Sequence, residues 1–150
     1  MNKKILIVSM LAVLSVLLVG CGNKVTGNAT SGTMIEIPLS QISETLQKYE
    51  LDVDGTTVRY LVGLGSDGKV RTAFDACDIC GGKKGYTQRG TDVVCNNCGK
   101  VFRIDDLGTK NTQGGGCWPS YLKHTVKGDS IFISSDEIRA GVFRFKWKSN

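Results

Sequence analysis

Two cysteine pairs with the same spacing constrain this chain more than any other feature of its sequence. Cys77 and Cys80 form one C-x2-C-G motif, and Cys95 and Cys98 form a second. The glycine after each pair tolerates the positive φ that lets backbone N–H groups turn toward the thiolate sulfurs. Two such turns facing each other present four thiolates to zinc, a single iron or an iron–sulfur cluster. The spacing therefore predicts a metal core of the zinc-ribbon or rubredoxin type.

Two further residues are candidates for the same centre. Cys117 follows three consecutive glycines, which cost backbone entropy and suit a chain that passes close to a metal centre. We expect it to be a fifth participant, and the alternative is a flexible loop that carries a free thiol. His124 is the only histidine and is a weaker candidate ligand, because a lone histidine is more often an ordinary surface or core residue.

Other interpretations of the cysteines remain open at this point. The metal could be purely structural zinc, in which case metal binding contributes folding energy. Disulfides are common outside the cytoplasm, but a C-x2-C bridge closes a very small loop and five cysteines leave one unpaired. A thiol–disulfide exchange motif is disfavoured because no long helix follows Cys80 or Cys98. Covalent c-type haem is excluded at both pairs, since glycine rather than histidine follows.

The amino terminus predicts export and lipidation. Lys3 and Lys4 precede an apolar stretch that is short for a membrane span and ends in Leu18-Val19-Gly20-Cys21. We interpret residues 1–20 as a lipoprotein signal peptide, with Cys21 diacylated by palmitate-type chains and residues 21–33 as a flexible tether. Two acyl chains would anchor the domain at the extracytoplasmic face of the cell membrane. The alternative is an uncleaved anchor helix.

Residues 34–150 then form one small domain, which we expect to be mainly β, a small α+β fold of antiparallel strands with one or two short helices. Turns are predicted at Asp54-Gly55 and Gly128-Asp129 between β-rich segments. Short helices are predicted over residues 41–48 and after Ser135, and a strand over residues 141–147. Removal of the predicted signal peptide takes away Lys3 and Lys4 and lowers the formal charge from +5 to +3, an excess too small and scattered to indicate a nucleic-acid partner.

The cysteine core resembles the FtrD-like membrane-associated iron–sulfur proteins. The residues that carry the resemblance are Phe74-Asp75-Ala76-Cys77-Asp78-Ile79-Cys80, Lys84-Gly85-Tyr86, Val94-Cys95-Asn96-Asn97-Cys98-Gly99, Gly114-Gly115-Gly116-Cys117, Pro119 and Leu122. The resemblance implies an extracytoplasmic iron or iron–sulfur domain that handles electrons in iron uptake, beside an iron permease and copper-binding periplasmic proteins. Some relatives carry many membrane spans, which a lipid replaces here. The family's Pro-x-Pro-Leu run reads Pro119-Ser120-Tyr121-Leu122.

These features together predict a membrane-anchored iron or iron–sulfur protein that acts in electron transfer or iron handling and is not itself an enzyme. The predicted metal residues are Cys77, Cys80, Cys95, Cys98 and Cys117, with His124 as the weaker candidate. The sequence contains no nucleophile–base arrangement and no phosphate-binding loop. The alternatives are a structural zinc-binding adaptor lipoprotein and a thiol–disulfide oxidoreductase.

Overall fold

The computed structural model describes residues 30–82, 84–109 and 117–146, which contain ten strands, one α-helix and three 3₁₀ segments. The elements are β1 (Met34–Pro38), β2 (Gln47–Val53), β3 (Thr56–Leu64), β4 (Val70–Cys77), β5 (Tyr86–Arg89), β6 (Asp92–Cys95), β7 (Val101–Arg103), β8 (Pro119–Tyr121), β9 (Thr125–Lys127), β10 (Ser130–Ser134) and α1 (Ser135–Ala140), with 3₁₀ segments at Leu39–Gln41, Ile104–Asp106 and Val142–Arg144. The prediction of a mainly antiparallel β fold with a short helix is confirmed.

The predicted signal peptide and lipidated Cys21 lie outside the described residues, as does the tether up to residue 29. Within the part of the chain that the structure describes, no helix has the length and apolar character needed to cross a membrane.

The strands form three antiparallel sheets with the orders β1-β10-β9, β2-β3-β4-β8 and β5-β6-β7. Alternation along a strand sends successive side chains to opposite faces. In β4, Phe74 and Ala76 pack into one buried cluster, whereas Ala73 and Cys77 pack into another. The β2-β3-β4-β8 sheet is therefore a central layer with a hydrophobic core on each face, and we call it the central sheet.

The first core lies between the central sheet and the β1-β10-β9 sheet. Its members are apolar and aromatic side chains: Ile37, Ile42, Tyr49, Leu51, Val53, Val58, Tyr60, Val62, Phe74, Ala76, Leu122, Ile131, Ile133 and Ile138. The rings of Tyr49 and Tyr60 stack across β2 and β3 with their centroids 5.4 Å apart. These contacts make the first core an ordinary close-packed interior.

The second core lies on the opposite face, under the β5-β6-β7 sheet. Its buried members are Leu61, Ala73, Cys77, Tyr86, Val93, Cys95, Phe102, Ile104 and Leu107, with Leu46, Cys80, Cys117 and Trp118 packed at its edge. The predicted metal residues thus belong to this core rather than to a separate loop.

The predicted turns are present. Asp54 (φ 52°) and Gly55 (φ 77°) connect β2 to β3, and the two positive φ values match the type I′ hairpins that Asp-Gly favours. Gly128 connects β9 to β10 with φ 59°. The helix after Ser135 is also present, since the Ser134 hydroxyl accepts a hydrogen bond from the Asp136 N–H as its N-cap.

The helix predicted over residues 41–48 is wrong. The chain makes only the 3₁₀ segment Leu39–Gln41 and then enters β2 at Gln47. Ile42 is buried in the first core, whereas Leu46 packs against the second. The two side chains that suggested one helical face therefore point into different cores, which an extended backbone allows and a single helical turn does not.

The strand predicted over residues 141–147 is also wrong. Val142–Arg144 is a 3₁₀ segment, held by the Phe145 N–H, which donates to the Val142 carbonyl at 2.9 Å. The aromatic residues that alternate in this segment do not share one face, and each makes separate contacts. Phe145 contacts the Phe74 ring, and Phe143 is 66% exposed beneath the Arg144 guanidinium. Tertiary contacts to the first core replace the sheet partner that a strand would need.

Candidate metal centre

The first cysteine turn begins where β4 ends. The Gly81 N–H donates to the Cys77 carbonyl at 3.0 Å, and Gly81 takes φ 67°, as the motif predicts. The Cys77 sulfur accepts hydrogen bonds from the N–H groups of Ile79 at 3.2 Å and Cys80 at 3.1 Å. Such N–H···S bonds stabilise a thiolate, so this turn prepares Cys77 to bind a cation.

The second cysteine turn begins where β6 ends and repeats the same backbone pattern. The Gly99 N–H donates to the Cys95 carbonyl at 2.8 Å, and Gly99 takes φ 75°. The Cys95 N–H donates to the Lys100 carbonyl at 2.9 Å, which closes the turn before β7. Cys95 itself is 1% exposed, as is Cys77, whereas Cys98 is exposed.

The two turns and β8 bring the thiols together. The sulfur atoms of Cys77, Cys80, Cys95 and Cys117 all lie within 4.8 Å of one another, a group that could hold a metal ion. Cys98 is not part of this group, but its sulfur is 3.1 Å from the Cys117 sulfur. All five predicted cysteines are thus neighbours, and glycines 114–116 before Cys117 lie outside the described residues.

The electrostatics of the thiols differ from one position to the next. Burial raises the pKa of Cys77, but the Cys80 and Ile79 N–H groups outweigh it and lower the pKa below the ordinary value. The hydrogen bond with Cys117 and the Lys100 N–H lower the pKa of Cys98 to about 7. The hydrogen bond with Cys98, together with burial, raises the pKa of Cys117. The thiols therefore differ in how readily each loses its proton, and a shared cation would favour the thiolate form of each.

His124 is placed apart from the four-cysteine group. The Thr72 hydroxyl donates to the Leu122 carbonyl at 2.6 Å and lies 2.8 Å from His124 Nδ1. Because that hydroxyl proton is already used, Nδ1 is the protonated nitrogen that donates to Thr72. His124 therefore joins β4 to the chain after β8.

A buried carboxylate, which the sequence motifs alone did not single out as functional, ties the two halves of the centre together. Asp75 is 1% exposed, and its Oδ1 accepts from the Tyr86 N–H at 2.6 Å. The Lys48 ammonium donates to Asp75 Oδ2 at 3.0 Å and to the Tyr86 carbonyl at 2.6 Å. Tyr86 pairs with Cys95 across β5 and β6. Asp75 and Lys48 thereby fix the strand of Cys77 against the hairpin of Cys95.

The sequence does contain a pattern that indicates a functional Asp75. The pattern can be recognised only when residues Val70–Cys77 are known to form a strand. An acidic residue two positions before Cys77 shares a strand face with it, and that face is buried. A buried charge requires a partner, so a cation from another element is implied. Nothing local in the sequence identifies Lys48 as that cation, since it is half-exposed in β2.

Aromatic rings close the inner side of the centre. The Phe102 ring meets the Tyr86 ring edge-on at 6.1 Å between centroids and the Trp118 ring at 5.5 Å. The Tyr86 hydroxyl is buried without a hydrogen-bond partner among the described residues. Burial, and next the charges of Cys77 and Cys95, raise the pKa of Tyr86. A neutral hydroxyl beside these sulfurs is available as an O–H donor to a thiolate.

The donor set fits a thiophilic metal. Thiolates around one tetrahedral ion with metal–sulfur bonds of about 2.3 Å stand about 3.8 Å apart, which is compatible with the 4.8 Å limit observed here. Four sulfur ligands suit zinc or iron rather than calcium or magnesium, which take oxygen. Cys77, Cys80, Cys95 and Cys117 would hold the metal, and the N–H groups of the first turn would support it.

Comparison with models of protein families identifies the family of this chain. Residues 41–145 match the family model described as membrane iron-sulfur containing protein FtrD-like. The chain belongs to the FtrD-like family. The match spans the central sheet, both cysteine turns and Cys117. Searches of curated proteins and of solved structures each found no match. FtrD-like membership makes this a membrane iron–sulfur family protein, as the resemblance predicted. The geometry adds a group of four cysteines that could hold a metal, in which Cys117 rather than Cys98 joins Cys77, Cys80 and Cys95.

Proposed function

We propose that this protein is a lipid-anchored extracytoplasmic iron protein that acts in one-electron transfer or iron handling at the cell membrane. The observation that carries the proposal is the convergence of four cysteine sulfurs within 4.8 Å in a chain of the FtrD-like family. Iron bound by cysteine thiolates supplies a one-electron couple whose potential depends on hydrogen bonds to sulfur and on solvent exposure.

The chain's own residues support such a centre on both counts. The N–H groups of Ile79 and Cys80 donate to the Cys77 sulfur, which favours the form with more negative charge on sulfur. Cys77 and Cys95 are buried, whereas Cys80 and Cys117 are half-buried. One side of the centre is therefore protected from water and the other lies near the surface, where a redox or transport partner could approach.

The anchor and the partners follow from the sequence and the family resemblance. Diacylation of Cys21 would tether the domain beside membrane proteins, and an iron permease or periplasmic redox and copper-binding proteins are the proposed partners. A nucleic-acid partner is not proposed, because the positive charge is scattered and the domain is exported.

Two observations favour other functions strongly enough to be tested beside this one. The sulfur separations suit zinc as well as iron, which supports a structural zinc adaptor. The 3.1 Å approach of the Cys98 and Cys117 sulfurs, with the pKa of Cys98 lowered to about 7, supports a thiol–disulfide oxidoreductase.

The test is the metal content and visible spectrum of the full chain, purified in detergent without oxygen, before and after dithionite. Iron with a charge-transfer band that bleaches on reduction supports the redox function. One zinc per chain without a visible band contradicts it and favours the adaptor. A metal-free chain with a reversible disulfide favours the oxidoreductase. Cys77→Ser is the matched control, because it should abolish a metal signal that arises at this site.

A further inference from the structure

Five cysteines surround a site that needs four ligands, and one of them differs from the rest. Cys77, Cys80, Cys95 and Cys117 are buried or half-buried and form the mutual group. Cys98 is exposed, lies outside the group, and touches it through the Cys117 sulfur at 3.1 Å. The C-x2-C spacing predicts that Cys98 and Cys95 bind the same metal. In the fold, Cys117 occupies the fourth ligand position that Cys98 was expected to fill.

The local structure of the second turn explains why Cys98 faces outward. Asn96 fixes the first half of the turn: its N–H donates to the Gly85 carbonyl at 3.0 Å and its Nδ2 to the Lys84 carbonyl at 2.9 Å. The second half is held by backbone hydrogen bonds within the turn itself, from the Gly99 N–H to the Cys95 carbonyl and from the Cys95 N–H to the Lys100 carbonyl. Gly99 has nothing within 4 Å of a Cβ built on it, and the following Lys100 is exposed. Cys98 thus sits on the solvent-exposed half of the turn, whereas Asn96 ties the other half to residues 84 and 85.

We propose that Cys117 is the resident fourth ligand of the metal site and that Cys98 is an exchange ligand through which the ion enters and leaves. This inference rests on the proposed metal-binding function and deepens it toward metal handling. Its basis is the contact between an exposed thiol and a half-buried ligand, whose sulfur atoms lie 3.1 Å apart, so that a local shift of the exposed half of the second turn would bring the Cys98 sulfur to the ion.

The exchange balances without an oxidant or any other reactant. When Cys117 is bound to an ion as a thiolate, the Cys98 thiol would give its proton to the Cys117 sulfur across the 3.1 Å contact. The Cys98 sulfur would then bond to the ion as the bond from Cys117 to the ion broke. Four thiolates would hold the ion before and after, with no change in its oxidation state. The reverse sequence would load the resident site.

The exposed position of Cys98 would make a bound ion accessible to an acceptor. An ion held by the buried ligands alone is hard to reach, whereas an ion bound to an exposed thiolate can be taken by thiolate or imidazole ligands of an acceptor. The acceptor is therefore defined by its soft ligands. An electron-transfer centre, in contrast, would gain nothing from a ligand that loosens it.

The test compares Cys98→Ser with Cys117→Ser in the full chain, purified in detergent and loaded with Zn²⁺. Transfer of zinc to a chromogenic chelator is timed, and bound zinc is counted. We expect Cys98→Ser to keep one zinc per chain and release it at least about tenfold more slowly than the wild type. Cys117→Ser should keep its zinc on Cys98 and release it faster. Iodoacetamide should alkylate only Cys98 in the loaded wild type, as read by mass spectrometry.

Two results would overturn the inference. If Cys98→Ser loses its zinc while Cys117→Ser behaves as the wild type, the two C-x2-C pairs hold the ion and Cys117 is idle. If Cys98→Ser releases zinc at the wild-type rate, Cys98 takes no part in exchange. Failure of the proposed function looks different, because the wild type itself would then bind no metal, as Cys77→Ser should.

Discussion

The two faces of the central sheet are covered in different ways. The first core contains fourteen buried apolar and aromatic side chains between two sheets. The second contains nine, of which Cys77 and Cys95 are two, and it is covered by strands of three and four residues. Such short strands bury little area and are marginal without further support. We therefore expect the first core to fold through hydrophobic burial and the second to depend on a bound metal.

The two regions are joined by a small number of polar contacts at the centre. Lys48 and Arg59 reach from β2 and β3 to Asp75 in β4, with ion-pair distances of 3.0 and 3.7 Å. Asp75 in turn holds Tyr86 at the start of β5. We call the contacts among Lys48, Arg59, Asp75 and Tyr86 the polar junction. The candidate metal ligands and the polar junction both attach the β5-β6-β7 sheet to the central sheet.

Metal removal should have the largest effect and should separate the two cores. We expect chelation under reducing conditions to increase hydrogen exchange across β5, β6 and β7, while β3 and β10 keep their protection, because metal binding supplies folding energy only where the ligands are. Hydrogen-exchange mass spectrometry of the full chain in detergent measures this. Equal loss of protection in both regions would mean that the molecule folds as one cooperative unit.

Matched truncations should separate the two cores a second time. Phe102→Ala removes the ring between Tyr86 and Trp118, and Ile133→Ala removes a buried side chain of the first core. Each should cost about 3 kcal/mol in the free energy of unfolding. Only Phe102→Ala should also weaken metal binding, by about tenfold, because it loosens the support of the ligands. Equal metal affinity in the two variants would contradict this division.

Substitution of the junction should have an intermediate effect. Asp75→Asn removes the charge that Lys48 and Arg59 face, and should lower the free energy of unfolding by about 2 kcal/mol. Urea denaturation of the loaded chain measures the loss. Asp67→Asn is the control, since Asp67 also faces two cations, Lys69 and Arg71, but its own side chain is exposed and solvent screens its charge. If Asp67→Asn lowers the free energy of unfolding by as much as Asp75→Asn does, the contacts of Asp75 are no more important for stability than a surface ion pair.

The titration of His124 should give the smallest effect, and this residue lies outside the four-cysteine group. Burial, and next the charge of Arg71, lower the pKa of His124 below its ordinary value of 6.5. The folded protein therefore binds this proton less readily than the unfolded chain. The contribution of His124 to stability is complete above pH 6.5 and is lost as the pH falls through the lower folded pKa.

The variant His124→Gln isolates this contribution. It keeps a donor for the Thr72 hydroxyl but does not titrate. We expect the decline in stability between pH 6.5 and pH 5 to be smaller in the variant than in the wild type, as measured by urea denaturation at each pH. Because acid also weakens metal binding by cysteines, the difference between the two proteins is the meaningful quantity. Identical pH profiles would show that His124 does not titrate differently in the folded state.

Local patterns predicted the features that local chemistry controls. The hairpin at Asp54-Gly55 and the short helix at Ser135 depend on the turn and capping preferences of a few residues, and both are present. The cysteine turns formed with the predicted positive φ at Gly81 and Gly99. The helix over residues 41–48 was wrong because its apolar side chains belong to two different cores, and local periodicity carries no information about which core a residue joins.

The sequence by itself therefore determined that this chain is a β-rich cysteine protein of the FtrD-like type, because spacing and turn chemistry act over a few residues. Only the tertiary structure decided which thiols meet. It brought Cys117 into the group with Cys77, Cys80 and Cys95, left Cys98 exposed beside it, and joined Lys48 to Asp75. Such contacts link residues far apart in the chain, and the packing of three sheets, rather than any local preference, sets their distances.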